Sequence, residues 1–206
     1  MELPSEARIV YDVLYGSHQL KVGRAEQRWR LAAGRYELRT ELLPVLGPKV
    51  QYLSRGRVGA AGLVPESFAE YRGKDRQPRT HADFDWQARV LSYGRAHEDQ
   101  RAPLEPGTQD VNALAYQLAW MGDAAAAHWQ VATGKKVAPY RFTRAQPTRV
   151  TVGGKEVVAW LWRSTDEGDR TEVWVAPQLG HLPVRVHRSD DDKQLQFVAR
   201  EVEYKR

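Results

Sequence analysis

The chain has 206 residues, of which 42% are hydrophobic and 28% charged, and 31 Lys and Arg against 26 Asp and Glu give a formal net charge of +5. This balance is typical of a folded globular protein and excludes disordered and collagen-like chains. The absence of cysteine excludes disulfides, thiolate catalysis and metal sites with Cys ligands. No linker divides the chain, so we predict a single domain over residues 1–206.

The sequence contains no run of about 18 apolar residues and therefore predicts no membrane-spanning helix. A secretory signal peptide has a basic segment followed by an apolar stretch, and the first residues of this sequence do not show that pattern.

The first half of the chain predicts antiparallel strands separated by Gly, Pro and Asp. Residues 22–31 alternate between apolar and charged side chains, which indicates one buried and one solvated face. A turn is expected at 85–88. The predicted strands are 9–15, 22–31, 36–42, 50–58, 66–71, 80–86 and 89–93.

One amphipathic helix is predicted from Asp110 to Met121. Asp110 is the expected N-cap, because its carboxylate can accept a hydrogen bond from a free backbone N–H. Gly122 is expected to end the helix, and Asp123 to begin a second short Ala-rich turn through Ala127. The apolar positions with helical spacing are Val111, Leu114, Ala115, Leu118 and Met121.

The second half again predicts strands, at 137–144, 149–152, 156–164, 170–176, 183–188 and 194–204. Gly153-Gly154 and Asp166-Glu167-Gly168-Asp169 are hairpin signals. The chain as a whole therefore predicts a mainly β fold. We expect a curved antiparallel sheet or an open β-barrel, with the central helix against its concave side or end.

The strand at 157–162 is apolar on both faces, which is typical of a strand covered on both sides or lining a hydrophobic cavity. Core packing is the ordinary alternative for its tryptophans. If a cavity exists, we predict that it binds an apolar or amphipathic ligand between this strand and the helix. The predicted ligand-binding residues are Trp160, Trp162, Val158, Leu114, Leu118 and Met121.

Other chemistry has weaker signals. His81, Asp83 and Asp85 alternate along one strand and could face a divalent metal. No fourth ligand is identifiable, and a solvated strand ending in a turn is the favoured interpretation. The chain lacks a nucleophile elbow, a phosphate-binding loop and a His-Glu-x-x-His motif. We therefore expect no catalytic residue, no metal and no cofactor.

The densest basic segment contains Arg72, Lys74, Arg76 and Arg79. It could contact nucleic acid, but Asp75 interrupts it and the run at 190–192 is acidic, so a solvated surface of mixed charge is favoured. Anionic lipid head groups or envelope polymers are further partners for such a loop.

Several segments resemble the bacterial family of the domain of unknown function 3108 (DUF3108). The likeness covers nearly the whole chain and depends on pattern rather than on a catalytic signature. The matching segments are Tyr11-Asp12-Val13 with Val22-Gly23, Gly59 to Phe68, Phe84-Asp85, Gln109-Asp110-Val111, and Val173-Trp174-Val175-Ala176 with Leu182-Pro183-Val184-Arg185.

The resemblance implies an antiparallel β protein exported to the bacterial envelope, with no agreed activity and no catalytic residues to carry over. Family members usually carry a signal peptide. We expect a periplasmic or envelope location if one precedes this sequence in the natural protein, and a cytoplasmic location otherwise. The fold also resembles, more weakly, periplasmic lipoprotein carriers that hold acyl chains in open β-barrels.

The leading hypothesis is therefore a non-catalytic carrier or binding domain for an amphipathic or lipid-like ligand. The first alternative is a structural or interaction domain that binds an envelope protein or peptidoglycan. The second is a hydrolase without a recognisable motif, for which Glu66, Glu70 and Asp75 are candidate carboxylates.

Overall fold

The structure is a computed structural model that describes residues 3–164, 170–189 and 193–206. The helix α1 spans Leu114–Trp120, and a 3-10 turn covers Pro177–Leu179. The strands are β1 (Glu6–Tyr15), β2 (Leu20–Ala32), β3 (Arg35–Pro44), β4 (Val50–Gly59), β5 (Gly62–Arg72), β6 (Thr80–Asp85), β7 (Val90–Arg95), β8 (Gln100–Pro103), β9 (Gln109–Asp110), β10 (Ala126–Ala132), β11 (Val137–Arg144), β12 (Thr148–Val152), β13 (Lys155–Ser164), β14 (Arg170–Ala176), β15 (Leu182–Ser189) and β16 (Gln194–Lys205).

The strands form one continuous sheet in the order β8-β7-β6-β5-β4-β3-β2-β1-β16-β15-β14-β13-β11-β10-β9, with β12 paired to β13. All the described pairs are antiparallel except β9 with β10. The helix α1 contacts β5, β14 and β15, which are far apart in the sheet order, so the sheet curls around the helix. Because the terminal strands β8 and β9 do not pair in the described structure, the curled sheet stays open. The predicted mainly β fold with one central helix is confirmed.

The helix is shorter than the predicted span from Asp110 to Met121. Asp110 lies in β9, and its Oδ1 accepts the backbone N–H groups of Asn112 and Ala113, both at 2.9 Å. This carboxylate therefore caps the turn that leads into the helix rather than the helix itself. None of the helices that the structure describes is long and apolar enough to cross a membrane.

The predicted Ala-rich turn from Asp123 through Ala127 is wrong, because residues 126–132 form β10. Ala127, Val131 and Ala132 are buried and β10 pairs with β11, so tertiary contacts override the helical preference of alanine. The short strands β8 and β9 were not predicted either. The Gly153-Gly154 hairpin is present between β12 and β13, whereas the hairpin predicted at 166–169 lies outside the described residues, as does the acidic run at 190–192.

The main core is organised around Trp29, on the concave face of β2. Its ring stacks between Tyr36 and Tyr116 with centroid distances of 5.3 and 4.8 Å, and its Nε1 donates a hydrogen bond to the carbonyl of Pro4 at 2.8 Å. Tyr116 belongs to α1, so this aromatic stack fixes the helix against the sheet.

Gln117 attaches the other side of the helix to β5. Its Nε2 donates to the Ala61 carbonyl at 3.0 Å, and its Oε1 accepts the Leu63 N–H at 2.7 Å. Gly62, between these two residues, has φ +110°, and a Cβ there would lie 2.2 Å from Gln117 Oε1. Only glycine allows the strand and the helix to approach this closely.

A buried polar group lies next to the helix. Asp110 is fully buried, and besides its two backbone contacts it accepts a hydrogen bond from Ser54 Oγ, which also contacts Tyr36. Burial raises the pKa of Asp110 to about 6, although the donated hydrogen bonds favour the charged form and oppose the rise. Asp110 is thus poised to change charge near neutral pH.

Candidate functional site

A row of paired side chains crosses the convex face of the sheet. Trp174 pairs with Arg185, Arg185 with Val198, and Val198 with Asp12. Directly paired residues of neighbouring strands project from the same face. The adjacent residue Tyr11 points to the other face, into the main core, so this row points away from the helix.

The hairpin of β12 and β13 folds over part of this face. Trp174 Nε1 donates to Thr148 Oγ1 at 3.2 Å, and Val150 in β12 is buried against the sheet. A groove of about 280 Å³ stays open beside the hairpin. We call it the arginine groove and define it by four apolar and two cationic residues, which are Leu14, Val150, Val184, Val198, Arg149 and Arg185.

Arg185 is the best-positioned polar group of the arginine groove. Its guanidinium lies over the ring of Trp174, 4.7 Å from the centroid, and its Nη2 donates to Gln196 Oε1 at 2.7 Å. Its Nε is buried and has no hydrogen-bond partner in the described part of the chain. Arg185 also makes no ion pair with any described carboxylate, so its positive charge beside the groove has no described counter-charge.

The carboxylates that share this face are engaged by other cations. Asp12 contacts Lys21 at 2.6 Å and Arg200 at 3.4 Å. Glu172 contacts Arg163 at 2.8 Å, and also Arg170 and His187. At the mouth of the groove, Arg149 faces Glu156 at 3.6 Å, and both side chains are exposed, so this ion pair is weak. The groove therefore has a positive character that the described carboxylates leave uncompensated at Arg185.

Three of the predicted ligand-binding residues lie in the main core. Trp162, Leu114 and Leu118 are at most 2% exposed and belong to the main hydrophobic cluster, in which α1 contacts β5, β14 and β15. Their environment is that of packed core side chains, and they do not line the arginine groove. Their role in ligand binding stays a prediction.

The other three predicted residues are more exposed. Trp160 is partly buried, with the guanidinium of Arg144 4.5 Å from its ring centroid, and Val158 is 41% exposed. Met121 packs at the edge of the core, 3.8 Å from Gln117 Nε2. Trp160 and Val158 therefore do not share a buried wall with Trp162, because the burial of β13 changes along its length.

The candidate metal ligands are not assembled. His81 Nε2 and Asp83 Oδ2 are 4.0 Å apart, whereas Asp85 Oδ1 accepts the N–H groups of Gln87 and Ala88 and caps the predicted turn. Among the residues described here, no three His, Asp or Glu side chains form a group that could hold a metal ion.

A second cleft, of about 630 Å³, opens near the end of β6. Trp86 stacks on Phe84 with a centroid distance of 6.2 Å and donates from Nε1 to the Pro65 carbonyl at 2.6 Å. Glu66, one of the candidate carboxylates, also lines the cleft but forms an ion pair with Arg35. We call this feature the tryptophan cleft.

The arginine groove was not predicted from the sequence. Arg185 stood in one of the segments that carry the family resemblance, but nothing in one strand shows that β12 folds over it. The available signal was the pattern Val184-Arg185-Val186, an arginine within an apolar strand. A cation within an apolar strand needs a partner when it is buried. Only the fold shows that no described carboxylate pairs with Arg185.

Comparisons with known proteins agree with this architecture. The model of the family described as "Protein of unknown function (DUF3108)" matches residues 10–197. No curated protein matches the chain. A solved structure, the beta-barrel-like protein of domain of unknown function DUF1849 from Brucella abortus, is 11% identical and has a TM-score of 0.59 over 100% of both chains. The last comparison shows the fold alone, whereas the family model covers most of the sequence, and the chain therefore belongs to the DUF3108 family.

Proposed function

We propose that this chain is a non-catalytic binding or carrier domain of the bacterial envelope, located outside the cytoplasm. It takes an amphipathic, lipid-like ligand with an anionic head group in the arginine groove. The observation that carries this proposal is Arg185, a cation beside four apolar side chains with no described carboxylate partner.

The chemistry of the groove favours a ligand with two parts. An acyl chain or a similar apolar group gains about 25 cal/mol for each Å² that leaves water, and Leu14, Val150, Val184 and Val198 offer such a surface. A carboxylate, phosphate or sulfate at its end would accept hydrogen bonds from the guanidinium of Arg185. Purely polar ligands would leave the apolar walls without contacts.

The volume of the groove limits the buried part of the ligand. Since a water molecule occupies about 30 Å³, the groove holds the equivalent of roughly nine waters. One short acyl chain fits these dimensions, whereas the two chains of a phospholipid do not.

The envelope location is supported by the signal peptides that members of the family usually carry. Fractionation of cells that express the natural gene tests it. We expect the protein with periplasmic or envelope markers, and recovery with cytoplasmic markers alone would contradict the location.

Decanoate and its uncharged analogue decanol provide the sharpest test of the arginine groove. We expect decanoate to bind more tightly than decanol, and the variant Arg185→Gln to lose this preference. The decrease in decanoate affinity should be about 10- to 100-fold, because a hydrogen bond to a charged group contributes about 1.5–3 kcal/mol. Isothermal titration calorimetry measures both ligands on both proteins.

The control is Arg55→Gln, which changes the net charge equally on a strand outside the groove. It should bind decanoate like the original protein. An equal decrease in decanoate affinity for Arg185→Gln and Arg55→Gln would show that the effect comes from the change of net charge and not from a contact with Arg185. Equal binding of decanoate by the original protein and Arg185→Gln would contradict the proposed site.

The tryptophan cleft favours a second candidate, the binding of a peptidoglycan glycan. Trp86 offers an apolar ring beside carboxylates and Arg57, a combination suited to the faces and hydroxyls of a sugar. Soluble peptidoglycan fragments should then bind at least tenfold more weakly to Trp86→Ala than to Trp120→Phe, a conservative change outside the cleft. Identical binding by the two variants would remove this candidate.

A further inference from the structure

Exposed hydrophobic side chains are concentrated at one end of the curled sheet. The structure describes six large hydrophobic residues as exposed, and five of them belong to β1, β2 and β3 or to the loop after β3. We call them the apolar tip, which consists of Tyr15, Leu20, Leu43, Val45 and Leu46. Leu46 is 89% exposed, Val45 71% and Leu20 67%. Single exposed hydrophobic residues are ordinary, but a cluster of this kind marks an interaction surface.

Backbone pairing places these residues together. Tyr15 pairs directly with Leu20 across the turn between β1 and β2. The Val45 N–H donates to the Val22 carbonyl at 2.8 Å, which extends the pairing of β2 with β3 beyond the end of β3. The β1–β2 turn and the β3–β4 loop therefore project side by side from the same end of the sheet.

Positive charge flanks the apolar tip on the side of β4 and β5. The Gly73 N–H donates to the Lys49 carbonyl at 2.7 Å, so the basic segment between β5 and β6 lies next to the β3–β4 loop. Segments 15–24, 43–49 and 72–79 carry seven Lys or Arg and a single acid, Asp75. We call the cations the basic rim, which consists of Lys21, Arg24, Lys49, Arg72, Lys74, Arg76 and Arg79. The connection between β7 and β8 contains the acidic residues Glu98 and Asp99, so the basic rim ends there.

Much of this charge is not neutralised by the residues that the structure describes. Lys21 contacts Asp12 and Lys49 contacts Glu41, but the other five residues of the basic rim make no ion pair with any residue that the structure describes. A cluster of exposed apolar side chains with cations beside it suits the surface of an anionic bilayer, in which hydrocarbon lies beneath negative head groups.

We propose that the apolar tip and the basic rim dock this domain on the surface of an anionic phospholipid bilayer. Leu20, Val45 and Leu46 enter the boundary between head groups and acyl chains, while the basic rim contacts the lipid phosphates. A second copy of the chain fits this surface less well, because it would bring two positive rims together. Nucleic acid would leave the apolar tip in water.

The docking surface lies next to the arginine groove, since Gln19 lines the groove and Leu20 follows it in the tip. Docking would thus bring the mouth of the groove to the membrane, where amphipathic molecules reside. Binding to the bilayer does not depend on the ligand proposed for the groove, so the two proposals can fail separately.

Co-sedimentation with vesicles tests the apolar tip. The probe is phosphatidylcholine vesicles with about 30% phosphatidylglycerol at an ionic strength of about 0.1 M. We expect binding of the original protein and at least tenfold weaker binding of Val45→Ser/Leu46→Ser. The matched control is Val158→Ser, the exposed hydrophobic residue outside the tip. Because all these side chains are exposed, circular dichroism should show the same fold for every variant.

The basic rim is tested in the same assay. Lys74→Gln/Arg76→Gln should bind about tenfold more weakly. The control Arg30→Gln/Arg55→Gln, with the same change of net charge on β2 and β4 outside the basic rim, should bind like the original protein. Vesicles of phosphatidylcholine alone should bind weakly.

Three results would overturn the proposal. The first is that the original protein does not bind the anionic vesicles. The second is that Val45→Ser/Leu46→Ser and the control Val158→Ser lose vesicle binding to the same extent. The third is a dimer in solution that Val45→Ser/Leu46→Ser converts to a monomer. Titration of Val45→Ser/Leu46→Ser with decanoate separates the two proposals. If this variant loses vesicle binding but keeps its affinity for decanoate, the apolar tip acts in membrane docking and not in ligand binding.

Discussion

Replacing Trp162 by alanine is expected to lower the free energy of unfolding by about 3–5 kcal/mol. The side chain is completely buried, belongs to the main core cluster and pairs through its backbone with Val173 in β14. Its removal leaves a cavity in the main core, next to β14, that rigid neighbouring strands cannot fill. Urea denaturation followed by circular dichroism measures the loss.

Trp160→Ala is the matched comparison on the same strand. Trp160 is partly exposed and its main described contacts are the stacked guanidinium of Arg144 and the ring of His181, so the loss should stay below about 2 kcal/mol. If Trp162→Ala instead kept its stability and lost an amphipathic ligand, Trp162 would line an internal binding site. The sequence prediction would then be right, and the arginine groove would not be the principal site.

Stability is expected to decrease with rising pH because of Asp110. Burial raises its pKa to about 6 from an ordinary value of 3.8, so between these values the folded state holds a proton that the unfolded state has released. The free energy of unfolding therefore falls as pH rises across this window, by about 3 kcal/mol from this group. The contribution is fully present below the ordinary pKa of 3.8 and is lost as pH rises through about 6.

Asp110→Asn isolates this effect, because asparagine keeps an oxygen for the N–H groups of Asn112 and Ala113 but does not titrate. Subtracting the unfolding free energies of the variant from those of the original protein at each pH from 4 to 7 cancels the other titrating groups. Parallel pH profiles for the original protein and Asp110→Asn would show that Asp110 is ionised across the whole range.

The sequence predicted most long strands because their side chains alternate and glycines mark their ends. The sequence predicted the segment between β7 and β11 less well, because the conformational preferences of these residues differ from the structure that tertiary contacts impose. Residues 126–132 contain three alanines and form a strand because β11 lies beside them, and Asp110 caps a turn three residues before the helix begins. Neither contact is visible from neighbouring positions along the chain.

The candidate site was harder to predict than the fold. The apolar pattern around Trp162 has the same appearance for a core strand and for a cavity wall, and only the complete burial of Trp162 in the main core distinguishes them. Arg185 and Val150 are separated by 34 positions in the chain and meet because the β12–β13 hairpin folds back over the sheet. The basic segment after Tyr71 was recognised, but its proximity to Leu46 follows from the pairing of β4 with β5.

Native mass spectrometry of the protein purified from bacterial cells, before and after addition of decanoate, tests the proposed function most directly. We expect a mass excess that disappears on denaturation and yields an acyl anion on solvent extraction, together with one bound decanoate that Arg185→Gln loses and Arg55→Gln retains. An unliganded mass under both conditions, or decanoate bound equally by the two variants, would contradict a lipid-like ligand in the arginine groove.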